Sequence, residues 1–214
     1  MKRKLLAVAE AVLIALIILA GAIAVPILCR PFYYLHIGPM GLAERVGLSA
    51  QGVKTAYNEM MNFCMGLTDT FSTGALSWSE EGRAHFVDVR KLFVLDLWVL
   101  AAAAVLWGIL RLARGKEPAR LMGHTPGFWS AIGLGTVFLV VGGLAATNFE
   151  RAFVIFHQIF FPGKDNWLFD PQFDQIIQIL PEAFFRNCAI LILIGILAGC
   201  TAALLRDCRV RHKK

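Results

Sequence analysis

Leu5 to Leu28 reads LLAVAEAVLIALIILAGAIAVPIL, an apolar run longer than the ~20 residues a helix needs to cross a bilayer. Lys2-Arg3-Lys4 precedes it, as in a signal peptide, but the run far exceeds the ~7–15 residues of a signal-peptide core. It is therefore read as a retained anchor. Three further runs, Leu92 to Leu110, Phe128 to Ala146 and Cys188 to Leu205, have similar length and character. With 57% hydrophobic residues and a mean hydropathy of +0.63, the chain is too apolar for a water-soluble fold. Strands of alternating polarity, which a membrane β-barrel would need, are not visible. Helices satisfy their own backbone groups within lipid, so the expected fold is all-α: a polytopic membrane protein with four transmembrane helices. One membrane domain over 1–214 is expected, with spans near 5–28, 92–110, 128–146 and 188–205.

A net charge of +6 suggests nucleic acid in a soluble protein, but its distribution here points to membrane topology. The N-terminus, the loop Arg111 to Pro126 and the tail from Arg206 carry 12 of the 21 Lys and Arg, against only Glu117 and Asp207. The positive-inside rule makes these three segments, and both termini, cytoplasmic. Segments 29–91 and 147–187, with nine basic and eleven acidic residues, then lie outside. The phospholipid bilayer is the implied partner, and no nucleic acid is expected.

The outer segments read as a cap of amphipathic helices. A Gly- and Pro-rich irregular stretch around Gly38-Pro39-Met40-Gly41 is followed by a helical pattern over Val53 to Leu67. Tyr57, Met60, Met61, Cys64 and Met65 would cover apolar surface there, with Lys54, Asn58, Glu59 and Asn62 toward water. Ser77-Trp78-Ser79-Glu80 fits a capping box, so the second spanning helix should start outside the membrane. His85, Asp88, Leu92 and Asp96 then form one inward stripe. The third spanning helix is expected to continue past Ala146, carrying His157 on its outer extension, with Gly142, Gly143 and Ala146 on a close-packing face. Pro171 to Phe185 reads as an interfacial helix, and Trp167 as a headgroup-level anchor.

Of the five histidines, His124 and His212 fall in cytoplasmic segments and His36 in the irregular loop. His85 and His157 are left on inward faces at one height. Either alone would be an ordinary hydrogen-bonding residue, whereas a pair suits general acid–base work, since imidazole titrates near about 6.5. A metal or a haem would also use such a pair. Against zinc, there is no HExxH helix and no nearby cysteine ligand, and Cys29, Cys64, Cys188, Cys200 and Cys208 form no CxxC. No GxSxG or SxxK marks a serine nucleophile. The residues leave three classes open: an enzyme with a histidine dyad and no cofactor, a non-catalytic lipid- or partner-binding membrane protein, and a bis-histidine haem protein.

Four blocks narrow this: Ala84-His85-Phe86-Val87-Asp88-Val89-Arg90, Phe156-His157-Gln158-Ile159-Phe160-Phe161, Asp165-Asn166-Trp167-Leu168-Phe169-Asp170-Pro171 and Ile179-Leu180-Pro181-Glu182-Ala183-Phe184-Phe185. With the order of spans, they resemble the lipoprotein intramolecular transacylases, the Lit family of bacterial membrane proteins. The resemblance implies a diacylglyceryl lipoprotein substrate in the bacterial cytoplasmic membrane. The sn-2 ester acyl chain of its N-terminal cysteine would move to that cysteine's own α-amino group, giving the N-acyl lyso-form. It further implies His85 and His157 as the catalytic pair on the extracytoplasmic face. Asp88 is the expected orienting group for His85, and Tyr57, Arg90, Arg151 and Trp167 are candidates for binding headgroup or carbonyl oxygens.

Overall fold

The computed structural model describes residues 2–114 and 119–212; Lys116 and Glu117 of the basic loop, and Lys213 and Lys214 of the tail, lie outside the described residues. In chain order the helices are α1 (Lys2–Leu28), α2 (Arg30–Ile37), α3 (Leu42–Val46), α4 (Ala50–Cys64), α5 (Glu80–Arg114), α6 (Pro126–Thr147), α7 (Phe149–Phe160), a 3-10 turn (Gln175–Ile179) and α8 (Glu182–His212). Among the described residues there is no strand, only an isolated bridge between Leu121 and His124. Helices α1, α5, α6 and α8 are long and apolar enough to cross a membrane. Trp98, Val105 and Leu112 on α5, and Val137, Leu139 and Leu144 on α6, are exposed. Apolar surface on this scale would be an aggregation hazard in water and is ordinary against lipid.

Several boundaries differ from the sequence expectation, each for a local reason. Gly38-Pro39-Met40-Gly41 is a turn, as expected, but short helices α2 and α3 stand on either side of it: Pro31 sits in the first turn of α2, and Gly41 and Gly47 flank α3 at φ +60° and +66°. α5 is capped by Ser79, whose Oγ accepts from Gly82 N at 2.9 Å, rather than by Ser77, whose N–H donates to Gln175 Oε1. The third span does not run on to His157. Asn148 adopts an extended backbone, its side chain accepts from Arg151 N at 2.8 Å, and α7 starts afresh. Pro171 to Phe185 is not one helix either: a 3-10 turn precedes Pro181, and the last span already begins at Glu182.

The chain forms two compact units, one of residues 1–24, 96–146 and 190–214, the other of 25–95 and 147–189. In the first, Ala22, Ala131, Ile196 and Cys200 make a buried core with Ile18, Leu134 and Phe138 against it. Small residues set the helix spacing. A Cβ at Gly199 would meet Ile18 at 2.8 Å, and one at Gly142 would meet Leu193 at 2.9 Å, whereas Gly143 faces open space. Ser130 Oγ on α6 donates to the Ala11 carbonyl of α1 at 2.6 Å. Glu10 of α1 pairs with Arg114 of α5, and both are largely buried. His124 bonds Asp207 at 2.8 Å and stacks on Phe128, a structural role. Asp96 Oδ2 is sealed from solvent without a hydrogen-bond partner among the described residues.

The second unit is built around aromatic packing. Tyr33 and Tyr57 stack face to face at 3.6 Å, with Phe184 edge-on to Tyr33 at 5.1 Å, and Tyr33 Oη donates to the Ile179 carbonyl at 3.0 Å. The helical pattern of α4 is realised: Tyr57, Met60, Met61 and Cys64 are buried. Asn58 and Asn62 do not simply face water, because the Arg30 guanidinium of α2 donates to their side chains at 3.1 and 2.6 Å. Asp174 locks the start of α5 by accepting from Ser79 N and Oγ at 2.8 and 3.0 Å. This approach is so close that a Cβ at Gly82 would fall 2.1 Å from Asp174 Oδ1.

Candidate active site

His157 lies in the last turn of α7, a strongly two-faced helix whose buried residue it is. Its Nδ1 is 2.8 Å from the Phe153 carbonyl. A carbonyl can only accept, so Nδ1 carries the hydrogen and, in the neutral ring, Nε2 keeps its lone pair. Trp167 stacks on the ring at 4.6 Å and Phe153 lies at 4.3 Å. Burial among these rings lowers the His157 pKa below the usual 6.5, with the Phe153 carbonyl acting in the opposite sense. The imidazole is thus neutral at pH 7, as a general base must be.

His85 is in the second turn of α5, 5% exposed, with Phe161 and Phe169 edge-on at 4.8 and 5.4 Å. The His85 and His157 rings are 5.8 Å apart between centroids and inclined by 30°. The structure therefore brings together the two histidines singled out in the sequence. His36, in contrast, sits on α2 rather than in a loop, with both nitrogens engaged: Nδ1 donates to Phe32 O, and Nε2 accepts from the Asn187 amide at 2.9 Å.

The segment after α7 closes over the pair. Phe161 N–H donates to the His157 carbonyl at 2.8 Å, and Gly163, at φ +71°, turns the chain back. Lys164 then reaches the Asp88 carboxylate, whose other oxygen takes Lys91 at 2.9 Å. Asp88 does not hydrogen-bond His85 as the sequence suggested; its oxygens are committed to two lysines. Trp167 Nε1–H donates to the Lys164 carbonyl at 3.0 Å, which fixes the indole on His157. Lys164→Met is expected to reduce activity about tenfold, because it removes a charge-assisted bond to a largely buried carboxylate and frees the segment holding Trp167. Lys91→Met, on a 69% exposed side chain, should leave activity within about twofold. Comparing the two rates in the same detergent checks this.

The remaining candidates are placed elsewhere or otherwise engaged. Tyr57 is in the Tyr33 stack. The Arg90 guanidinium donates to Thr68 O and Asp69 and lies over Phe63. Arg151 is exposed on α7. Among the described residues no group of three or more His, Cys, Asp or Glu is placed to hold a metal ion. Burial pushes the Cys64 thiol up to about 12, with Arg90 opposing, so it is not a thiolate nucleophile. Sequence reasoning overlooked Phe161, Lys164, Asn166 and Phe169 as site residues, although Phe161-Pro162-Gly163-Lys164 signals a turn that would fold residues 164–169 back over α7.

The family model described as lipoprotein intramolecular transacylase Lit matches residues 8–185. No curated protein matches the chain. Among solved structures, an in meso structure of the membrane integral lipoprotein intramolecular transacylase Lit from Bacillus cereus is 28% identical, with a TM-score of 0.87 over 99% of this chain and 97% of that one. Two more structures of that protein, bearing a histidine-to-arginine or a histidine-to-alanine substitution, are each 27% identical with a TM-score of 0.80, over 99% of this chain and 93% or 94% of theirs. The chain, a multi-pass all-helical membrane protein, belongs to the lipoprotein intramolecular transacylase family and is a transferase.

Proposed function

We propose that this enzyme moves the sn-2 ester acyl chain of a diacylglyceryl lipoprotein to the α-amino group of the same N-terminal cysteine, with His157 and His85 as acid–base pair. The observation that carries this reading is the buried ring-to-ring pairing of the two histidines at 5.8 Å, within a chain of the transacylase family. His157 Nε2, unprotonated in the neutral ring, takes the proton from the attacking amine as nitrogen bonds to the ester carbonyl carbon. His85 receives that proton from His157 at its own Nε2 and delivers it to the glycerol oxygen as the carbon–oxygen bond breaks. One proton leaves nitrogen and one reaches oxygen, so neither water nor an enzyme nucleophile is consumed.

Donor and acceptor share one molecule, so holding the substrate folded back supplies much of the acceleration. The aromatic wall of Phe161, Trp167 and Phe169 excludes water, which would otherwise compete with the amine for the ester. The excess of Lys and Arg in the N-terminus, the 111–126 loop and the tail supports cytoplasmic termini and an active site toward the outer leaflet, where such a substrate is anchored.

Mass spectrometry of the N-terminal lipopeptide of a reporter lipoprotein, co-expressed in a host without its own N-acylating enzyme, tests the proposal. Conversion of the diacylglyceryl form to its N-acyl lyso isomer is the expected result, identified by fragmentation. Unchanged diacylglyceryl lipopeptide despite confirmed membrane expression would overturn it.

A further inference from the structure

His85 Nδ1 and Asn166 Oδ1 are each sealed from solvent, and each lacks a well-formed hydrogen bond. Such groups are costly singly and rarely left unmatched. These two belong to one cluster: Asn166 acts on the His85 imidazole from the segment whose Phe161 and Phe169 pack on that ring. The surrounding segment explains the proximity, since Phe161 and Phe169 pack on His85 and Trp167 on His157, placing Asn166 between the contacts to the two rings. The other charged or titratable groups facing His85 are His157 from α7, Asp88 from α5 and Lys164 from the same segment as Asn166. Asp88 is committed to Lys91 and Lys164, and Lys164 offers only donors. That leaves the Asn166 carbonyl, itself buried and unpaired, as the side-chain acceptor to match the unpaired Nδ1.

We infer that Asn166 is a positioning residue for His85: its side-chain oxygen accepts the Nδ1 hydrogen, fixing the tautomer whose working nitrogen is Nε2. His157 is held in the same way, through Nδ1 to the Phe153 carbonyl. The dyad then consists of two imidazoles anchored at Nδ1, each with Nε2 available to accept a proton and pass it on. The catalytic importance of this contact rests on the acyl-transfer reading above, whereas the contact itself does not.

The test is long-range proton–nitrogen correlation NMR on the full chain in detergent, with nitrogen-15 histidine, at a pH where the rings are neutral. His85 is expected as the Nδ1–H tautomer in the wild type and in Asn166→Asp, and largely as Nε2–H in Asn166→Ala. His36, tied to Phe32 and Asn187, should keep its signals and so reports that the fold is intact. Wild-type His85 found as Nε2–H would overturn the inference without recourse to any variant. So would an Nδ1–H tautomer that survives Asn166→Ala with His36 unchanged. In the transacylation assay, kcat should fall about tenfold in Asn166→Ala with little change in KM, and recover in Asn166→Asp. A tautomer shift together with a wild type that fails to transacylate sinks the acyl-transfer reading and leaves the contact standing.

Discussion

His157→Ala is expected to slow N-acylation by about 10²–10⁴-fold, the span usual for loss of a general acid–base group. Alanine leaves the rest of α7 its hydrogen bonds but removes the imidazole proposed to receive the amine proton. The His85→Ala rate should fall comparably, and the double variant little further, because the two rings serve one proton path. Rates are read as lipopeptide converted per unit time by purified enzyme in detergent. A doubly substituted enzyme slower by the product of the single effects would argue for independent roles. The His157 ring should also titrate below about 6.5, since burial favours its neutral form. Base competence therefore persists through neutral pH and is lost as pH falls through that lowered value; a ring still half-charged above about 7 would contradict the assignment.

Gly82→Val should be the most damaging change outside the histidines, at about 3 kcal/mol of stability. Its Cβ would stand 2.1 Å from Asp174 Oδ1, and the carboxylate would have to leave Ser79 N and Oγ. That carboxylate ties the 170–180 segment to the first turn of α5, just below His85. Loss of the tie should therefore loosen Phe169 on His85 and reduce activity together with the unfolding midpoint. Gly133→Ala, where a Cβ meets nothing within 4 Å, is the matched control and should behave as wild type. A Gly82→Val protein with unchanged unfolding midpoint and rate would show that Asp174 is free to turn away at no cost.

The spans were legible because bilayer thickness imposes a length and lipid imposes apolarity, both written directly in the sequence. Their ends were not, where a single polar side chain decides. Asn148 breaks a run that periodicity alone would carry to His157, and Ser79 rather than Ser77 caps α5 because Asp174, 95 residues away, holds it. The histidine pair was accessible through helical spacing, which put each ring on an inward face. Asp88 shows a related limit: its place one turn from His85 was legible, but its partner Lys164 arrives through a loop whose path depends on Gly163. Tyr57 carried no signal separating a core stack from a substrate contact, since both need an aromatic ring on the buried face of α4.

The pairing of Glu10 with Arg114 bears on how the protein is made. A carboxylate within an apolar stretch opposes membrane entry, less so toward the helix end, where Glu10 stands, than at its middle. Its guanidinium partner lies 104 residues later in the chain, at the far end of α5. While synthesis has not reached Arg114, the first helix carries its acid without that partner. The pair can close only once α5 has been made, so a contact of the first helix waits on a residue in another part of the message.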